Sequence, residues 1–174
     1  MGLLMAEPFK ATTLPAAKAA LYADLAEEIA AVLEGEPNLT ARMATVAAML
    51  AQSFERFFWT GFYVVDPDRP GELVVGPYQG TLGCLRIGFG QGVCGTAAAE
   101  RRTLIVPDVE AFPGHIACDS RSRSEIVVPA IGPGGRLLGV LDVDSTELAA
   151  FDEVDSQWLE RILVRAFADN PSLT

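Results

Sequence analysis

The chain has 174 residues, 50% of them hydrophobic and 21% charged, with a net charge of −10. That is long enough to bury a core without staples, and the composition belongs to a folded chain rather than a disordered one. The negative charge repels phosphate backbones and anionic lipid, so nucleic acid and membrane surfaces are excluded as expected partners and cationic or zwitterionic small molecules remain.

The opening MGLLMAEPFK has too short an apolar run for a secretory signal, and Ala6 breaks the myristoylation pattern. No window approaches the roughly 18 apolar residues of a spanning helix. A cytoplasmic location is therefore expected. There the three cysteines, Cys84, Cys94 and Cys118, would be reduced at rest, and would serve packing, metal binding or redox chemistry rather than act as staples.

Apolar residues at helical spacing predict a helix over 14–33, ended by Gly35, Pro37 and Asn38, and a second over 41–54 capped by Thr40. From Phe57 the pattern changes to FFWTGFYVV, a strand carrying five aromatics, then the turn PDRPG and a returning strand, ELVVGPY. A third strand is expected over 84–89. The glycine-rich run 90–95 precedes a short helix over 96–101, and a fourth strand covers 103–106. Two more strands, 125–131 and 136–143, flank the turn Gly132-Pro-Gly-Gly135, and Asp152 caps a last amphipathic helix reaching about Ala168. The order gives one α+β domain over 1–174, a central antiparallel sheet flanked by N- and C-terminal helices: helices in 14–54, sheet with inserted loops in 57–144, helix in 152–168. Loops on the face away from the helices would form a pocket.

The stretch 112–129 holds the first candidate chemistry. It begins as a loop at Pro113 and Gly114 and ends as a strand at Pro129, with Cys118 beside Asp119, three residues after His115 and seven before Glu125. A loop thiol among ionisable groups is where cysteine reactivity can be tuned; the alternative is a semi-buried structural cysteine. Cys94, just ahead of the short helix, would have its pKa lowered by the helix N-terminus, unless it is simply a small buried residue. Asp142 and Asp144 share one face of their strand while Leu141 and Val143 face the core; they form either a solvated strand end or, on so apolar a strand, the lining of a pocket, where two adjacent like charges raise one pKa and so supply a proton donor. Trp59 and Tyr63 lie on one face with Phe57 and Gly61, opposite Phe58, Phe62 and Val64, as core packing or as an aromatic wall for an apolar or sulfur-containing ligand.

Three other readings are weaker. Gly90-x-Gly92-x-x-Gly95 matches a dinucleotide fingerprint, but its helix is too short for a parallel crossover, and the glycines more simply allow a tight bend against the sheet. Zinc on Cys84, Cys94, Cys118 and His115 lacks close Cys–Cys spacing. His115 lies too near Cys118 in sequence for a separate general base, and would instead hold the turn or raise the local potential. Thiol–disulfide chemistry remains: one thiolate attacks and a second resolves the sulfenic acid.

The runs GPYQGTLGCLRIGFGQGVCGTAA, VPDVEAFPGHIACDSRSRSEIVVP and GVLDVDS followed by FDEVD closely resemble the GAF-type free methionine-(R)-sulfoxide reductases. The resemblance covers about residues 59–158 and includes all three cysteines. It implies a GAF domain, usually a homodimer through helix packing, that reduces the R-sulfoxide of free methionine. It also implies that Cys118 attacks the sulfoxide sulfur and becomes a sulfenic acid, that Cys84 closes a disulfide with it, and that thioredoxin reduces that disulfide. Cys94 would resolve, relay the disulfide or attack first. Glu125, Asp142 and Asp144 would hold the substrate ammonium and supply the proton for the departing oxygen, and Trp59 and Tyr63 would wall the methyl-sulfinyl end. No metal or bound cofactor is implied beyond the external dithiol. The competing reading from another class is a GAF sensor binding a small ligand in the same pocket, which needs neither the cysteines nor the aspartate pair.

Overall fold

The computed structural model describes residues 15–168. Leu14 and the opening segment searched for targeting signals lie outside them. The elements run α1 (Pro15–Val32), α2 (Leu39–Ser53), β1 (Trp59–Val65), β2 (Glu72–Gln79), β3 (Arg86–Gly88), α3 (Gly92–Glu100), β4 (Leu104–Val106), β5 (Ser124–Ile131), β6 (Leu137–Ser145) and α4 (Glu153–Leu163). A π-helical turn, Val164–Ala168, continues α4. The strands pair antiparallel in one sheet of order β3-β2-β1-β6-β5-β4, as the α+β reading expects. None of the described helices is long and apolar enough to cross a membrane.

Three helices cover one face of the sheet. α1 buries Tyr22, Leu25, Ala26 and Ile29, and α2 buries Met43, Val46, Ala47 and Leu50, each set at the i, i+3, i+4, i+7 spacing of a single helix face. They meet Phe62, Ile126, Val128, Leu141 and Val143 from the sheet, together with Leu159, Ile162 and Leu163 of α4. On the opposite face α3 packs with Trp59, Tyr63, Val127 and Val140 in a second, smaller core. The sheet is therefore apolar on both sides near its centre, and the pocket opens on the α3 side.

A buried polar cluster fixes the helix layer. The fully buried Asp155 carboxylate accepts from Lys18 Nζ at 2.8 Å, Tyr22 Oη at 2.8 Å and Arg56 Nη2 at 2.5 Å. It also completes a capping box with Asp152 at the start of α4. Removing the acid takes the carboxylate partner from the Tyr22 hydroxyl and from Arg56 and leaves Lys18 to Asp152, 2.6 Å away. Asp155→Ala is therefore expected to cost about 3–5 kcal/mol of stability. Urea denaturation measures this, and a loss below about 1 kcal/mol would show that the cluster contributes nothing beyond a surface pair.

Several local expectations are corrected. The cap of α2 is Asn38 rather than Thr40: its side chain accepts from the Ala41 amide at 2.9 Å, so the helix starts at Leu39. β1 begins at Trp59, after a turn in which the Phe57 amide donates to the Phe54 carbonyl. The strand alternation does not reach back through that turn. Phe57 thus joins the helix-side core and Phe58 the pocket-side core, the reverse of the expected faces. β3 is shorter than 84–89, which leaves Cys84 in the preceding loop. α3 starts at Gly92, so Cys94 lies inside its first turn rather than ahead of it.

Candidate active site

The site is built by strand register. β1 pairs with β6 so that Trp59 lies across from Asp144, and Gly61 across from Asp142. β6 in turn pairs with β5, setting Asp144 opposite Glu125 and Asp142 opposite Val127. Directly opposed residues share a face. Trp59, Asp144 and Glu125 therefore form one row across three strands, and Asp142 stands in the next. The predicted alternation in β6 holds, with Leu141 and Val143 in the helix-side core and both aspartates on the other face.

Two loops close over these rows. The first, residues 80–85, lies flat on an aromatic ladder in which Tyr63 stacks on Trp59 at 5.6 Å and Trp59 on Tyr78 at 5.1 Å. Trp59 Nε1 donates to the Thr81 carbonyl at 3.0 Å. The second, residues 112–123, carries Cys118. Thr81 Oγ1 donates to Asp119 across the gap at 2.6 Å, and Cys84 and Cys118 are joined in a disulfide spanning 34 residues of sequence. Cys118 is exposed and Cys84 half-buried, so the bond sits at the mouth. With it closed, the cavity beneath has about 30 Å³, against roughly 300–1,000 Å³ for pockets that hold small molecules.

Cys94 is separate from this pair. It is a free, buried thiol whose Sγ lies 4.0 Å from Glu125 Oε1. Burial pushes its pKa up, and Asp142, Glu125 and Asp144 push further in the same direction. The expected lowering by the helix N-terminus is overturned, because desolvation and nearby carboxylates outweigh a partial charge. His115 Nε2 is 3.8 Å from Glu125 Oε2, and burial lowers its pKa, so the imidazole is neutral at pH 7 and adds no positive potential. Its backbone amide donates to the Phe112 carbonyl, which holds the turn. In this disulfide-bonded state the four-ligand zinc set of the sequence is not assembled, since two of its sulfurs are bonded to each other. The Cys94 thiol and single oxygens of Glu125 and Asp142 do approach within 4.8 Å of one another. The glycines of 90–95 serve the tight bend: a Cβ on Gly95 would lie 2.1 Å from the Gly88 carbonyl oxygen.

Glu125 and Asp142 are buried, and desolvation holds both carboxyls well above the usual range, with neighbouring acids adding to the shift. Asp142 Oδ1 has no hydrogen-bond partner. Burial raises Asp144 to about 6, partly offset by the hydrogen bond from Ser122 Oγ at 2.7 Å. A raised acid holds its proton more tightly folded than unfolded, so folding loses stability as pH rises from the unfolded value near 4 through about 6. Discounted for its partial exposure, Asp144 contributes about 2 kcal/mol to this loss. The carboxylates held low by cations or hydrogen bonds, Asp66 and Asp119 among them, gain stability until their unfolded counterparts have ionised at about pH 5, and so oppose the loss only in the lower part of that window. Urea denaturation between about pH 5 and pH 7 is expected to show the falling slope, and Asp144→Asn to reduce it while Glu125 and Asp142 keep the remainder; an unchanged slope would place the proton elsewhere.

Sequence spacing did not reveal Ser122, Thr81 or Gly83 at the site. Each acts through a loop brought in by tertiary contacts, and no local pattern marks it.

A sheet with helices on one face and a loop-covered pocket on the other matches the GAF domain model, which covers residues 36–164. The chain is a GAF-domain protein. It is 40% identical over 148 residues to the free methionine-R-sulfoxide reductase of Escherichia coli, covering 85% of this chain and 87% of that one. It is 53% identical over 142 residues to GAF domain-containing protein A of Dictyostelium discoideum, covering 82% and 87% of the two chains. The crystal structure of free methionine-R-sulfoxide reductase from Neisseria meningitidis, in complex with its substrate, superimposes with a TM-score of 0.81 at 50% identity, over 86% of this chain and 87% of that one. The chain belongs to the family of the GAF-domain free methionine-R-sulfoxide reductases.

Proposed function

We propose that this protein reduces free L-methionine-(R)-sulfoxide to methionine. The observation that carries the reading is the Cys84–Cys118 disulfide at the mouth of a pocket floored by three carboxyl groups with raised pKa values. In the reduced enzyme the Cys118 thiolate attacks the sulfoxide sulfur, and a protonated carboxyl on β5 or β6 donates to the sulfoxide oxygen. Methionine leaves with its sulfur reduced, and the oxygen stays on Cys118 as a sulfenic acid. Cys84 then attacks Cys118 Sγ; the S–O bond breaks, water departs and the disulfide forms. Each cycle takes two electrons from an external dithiol of the thioredoxin type.

Glu125, Asp142 and Asp144 pair with the substrate ammonium, and the unpartnered Asp142 Oδ1 offers it an acceptor. Trp59 and Tyr63 wall the methyl-sulfinyl end. Cys94, buried and held protonated, serves as a neighbour of the acids rather than as the attacking thiol. Exposed apolar Leu21, Val32 and Val164 on the helix layer suit a homodimer face, and a cysteine pair that an external dithiol recycles suits the reducing cytoplasm. The test is methionine formation from free R- and S-sulfoxide with a dithiol reductant. Methionine is expected from the R-epimer alone; none from either, or equal amounts from both, would overturn the proposal.

A further inference from the structure

Tyr63 does more at this site than present a ring. Its hydroxyl lies between the two disulfide-forming residues: it accepts the Cys84 amide proton at 3.1 Å and faces Cys118 Sγ at 3.9 Å, within donating distance of sulfur. The side chain is held for this task. It is 1% exposed, stacked on Trp59, and rooted on β1 between β2 and β6. The Cys84 loop is shaped to reach it. A Cβ on Gly83 would lie 2.8 Å from Tyr63 Oη and 3.1 Å from Trp59 Cζ2, so only glycine lets the backbone settle on both rings. Burial and the Asp142 charge both raise the Tyr63 pKa, which keeps the hydroxyl a neutral donor and acceptor.

We propose that Tyr63 is a positioning residue for the resolving step, its hydroxyl holding the Cys84 backbone against Cys118 so that sulfenic acid is converted to disulfide before anything else captures it. The chemistry is the condensation of the Cys84 thiol with the Cys118 sulfenic acid. An S–S bond forms, the S–O bond breaks, water leaves with the thiol proton, and the Cys118 sulfur is reduced as Cys84 is oxidised. Tyr63 exchanges no electrons. Its contribution is proximity, since it fixes one reactant's backbone and donates to the other's sulfur.

The assignment of these cysteines as a reacting pair rests on the proposed function, but the test does not require methionine sulfoxide. Reduced protein is treated with one equivalent of hydrogen peroxide in the presence of dimedone, which traps sulfenic acid, and intact-mass spectrometry reads the ratio of Cys118 adduct to Cys84–Cys118 disulfide. The ratio reports competition after Cys118 is oxidised, whatever the rate of that oxidation. Tyr63→Phe keeps the ring and its stacking and removes only the hydroxyl. It is expected to shift the ratio about tenfold toward the adduct, the order of losing two modest hydrogen bonds. It is also expected to make the disulfide about tenfold easier to reduce at equilibrium with dithiothreitol, a change that lost ring packing would not produce. If Tyr63→Phe does not fold, Gly83→Ala, which wedges a methyl between the loop and the hydroxyl, is read by the same ratio and expected to move it the same way. A partition ratio at the wild-type value in the folded variant would overturn the proposal.

Discussion

A Cys118→Ser protein is expected to keep its fold and to lose methionine formation by roughly 10³-fold or more, because a hydroxyl cannot accept the sulfoxide oxygen and pass it on as a disulfide. Fold retention follows from the place of Cys118, which is exposed on the 112–123 loop and packs in neither core. Cys94→Ser is the informative contrast. Its thiol is buried in α3 with a raised pKa, and serine can make the same hydrogen bond to Glu125. That variant is expected to stay within about tenfold of wild type, the scale of one perturbed hydrogen bond. Rates of methionine formation measured with each variant and a dithiol decide it. A Cys118→Ser protein retaining more than about a few per cent of wild-type turnover would move the nucleophile to Cys94.

The second large effect concerns the substrate's amino group. Glu125, Asp142 and Asp144 converge from adjacent strands, and among the described residues the basic side chain facing Glu125 is His115, which is neutral. A free ammonium answers that arrangement. N-acetylation or a peptide bond removes its charge and adds bulk, so the carboxylates must stay buried unpaired or take up protons. Above pH about 6, where Asp144 is ionised, the penalty is about 3–5 kcal/mol. That converts to a discrimination of roughly 10²- to 10³-fold or somewhat more in kcat/KM. Free methionine-(R)-sulfoxide is therefore expected to turn over while its N-acetyl derivative and oxidised protein scarcely react. Comparable kcat/KM for the free and acetylated compounds would remove the acidic pocket from the mechanism.

Much of this site is legible along the chain because some of its geometry is local. Strand alternation alone puts Asp142 and Asp144 on one side and Leu141 and Val143 on the other, and helical spacing alone predicts α1, though not that its buried face includes Lys18. The three motifs, two carrying the cysteines and the third the aspartate pair, bear the family resemblance for the same reason: each lies within a short contiguous run.

What the chain could not decide were quantities set by partners distant in sequence. The pairing of β1 with β6 and of β6 with β5 brings Trp59, Asp144 and Glu125 into one row, and register depends on long-range hydrogen bonds that spacing does not encode. Of the two readings of Cys94, the small buried residue is the one found: a helix N-terminus is visible in sequence whereas burial among three carboxyls is not, and desolvation is the larger effect. Phe57 and Phe58 exchanged faces because a turn, not the strand, sets their orientation. Spacing along the chain singles out the candidate residues and the side of β6 on which its two aspartates stand. Only the tertiary structure decided which of them meet, which are kept from water, and that one tyrosine hydroxyl lies between the two cysteines, because contact and desolvation arise when segments far apart in the chain close over the same space.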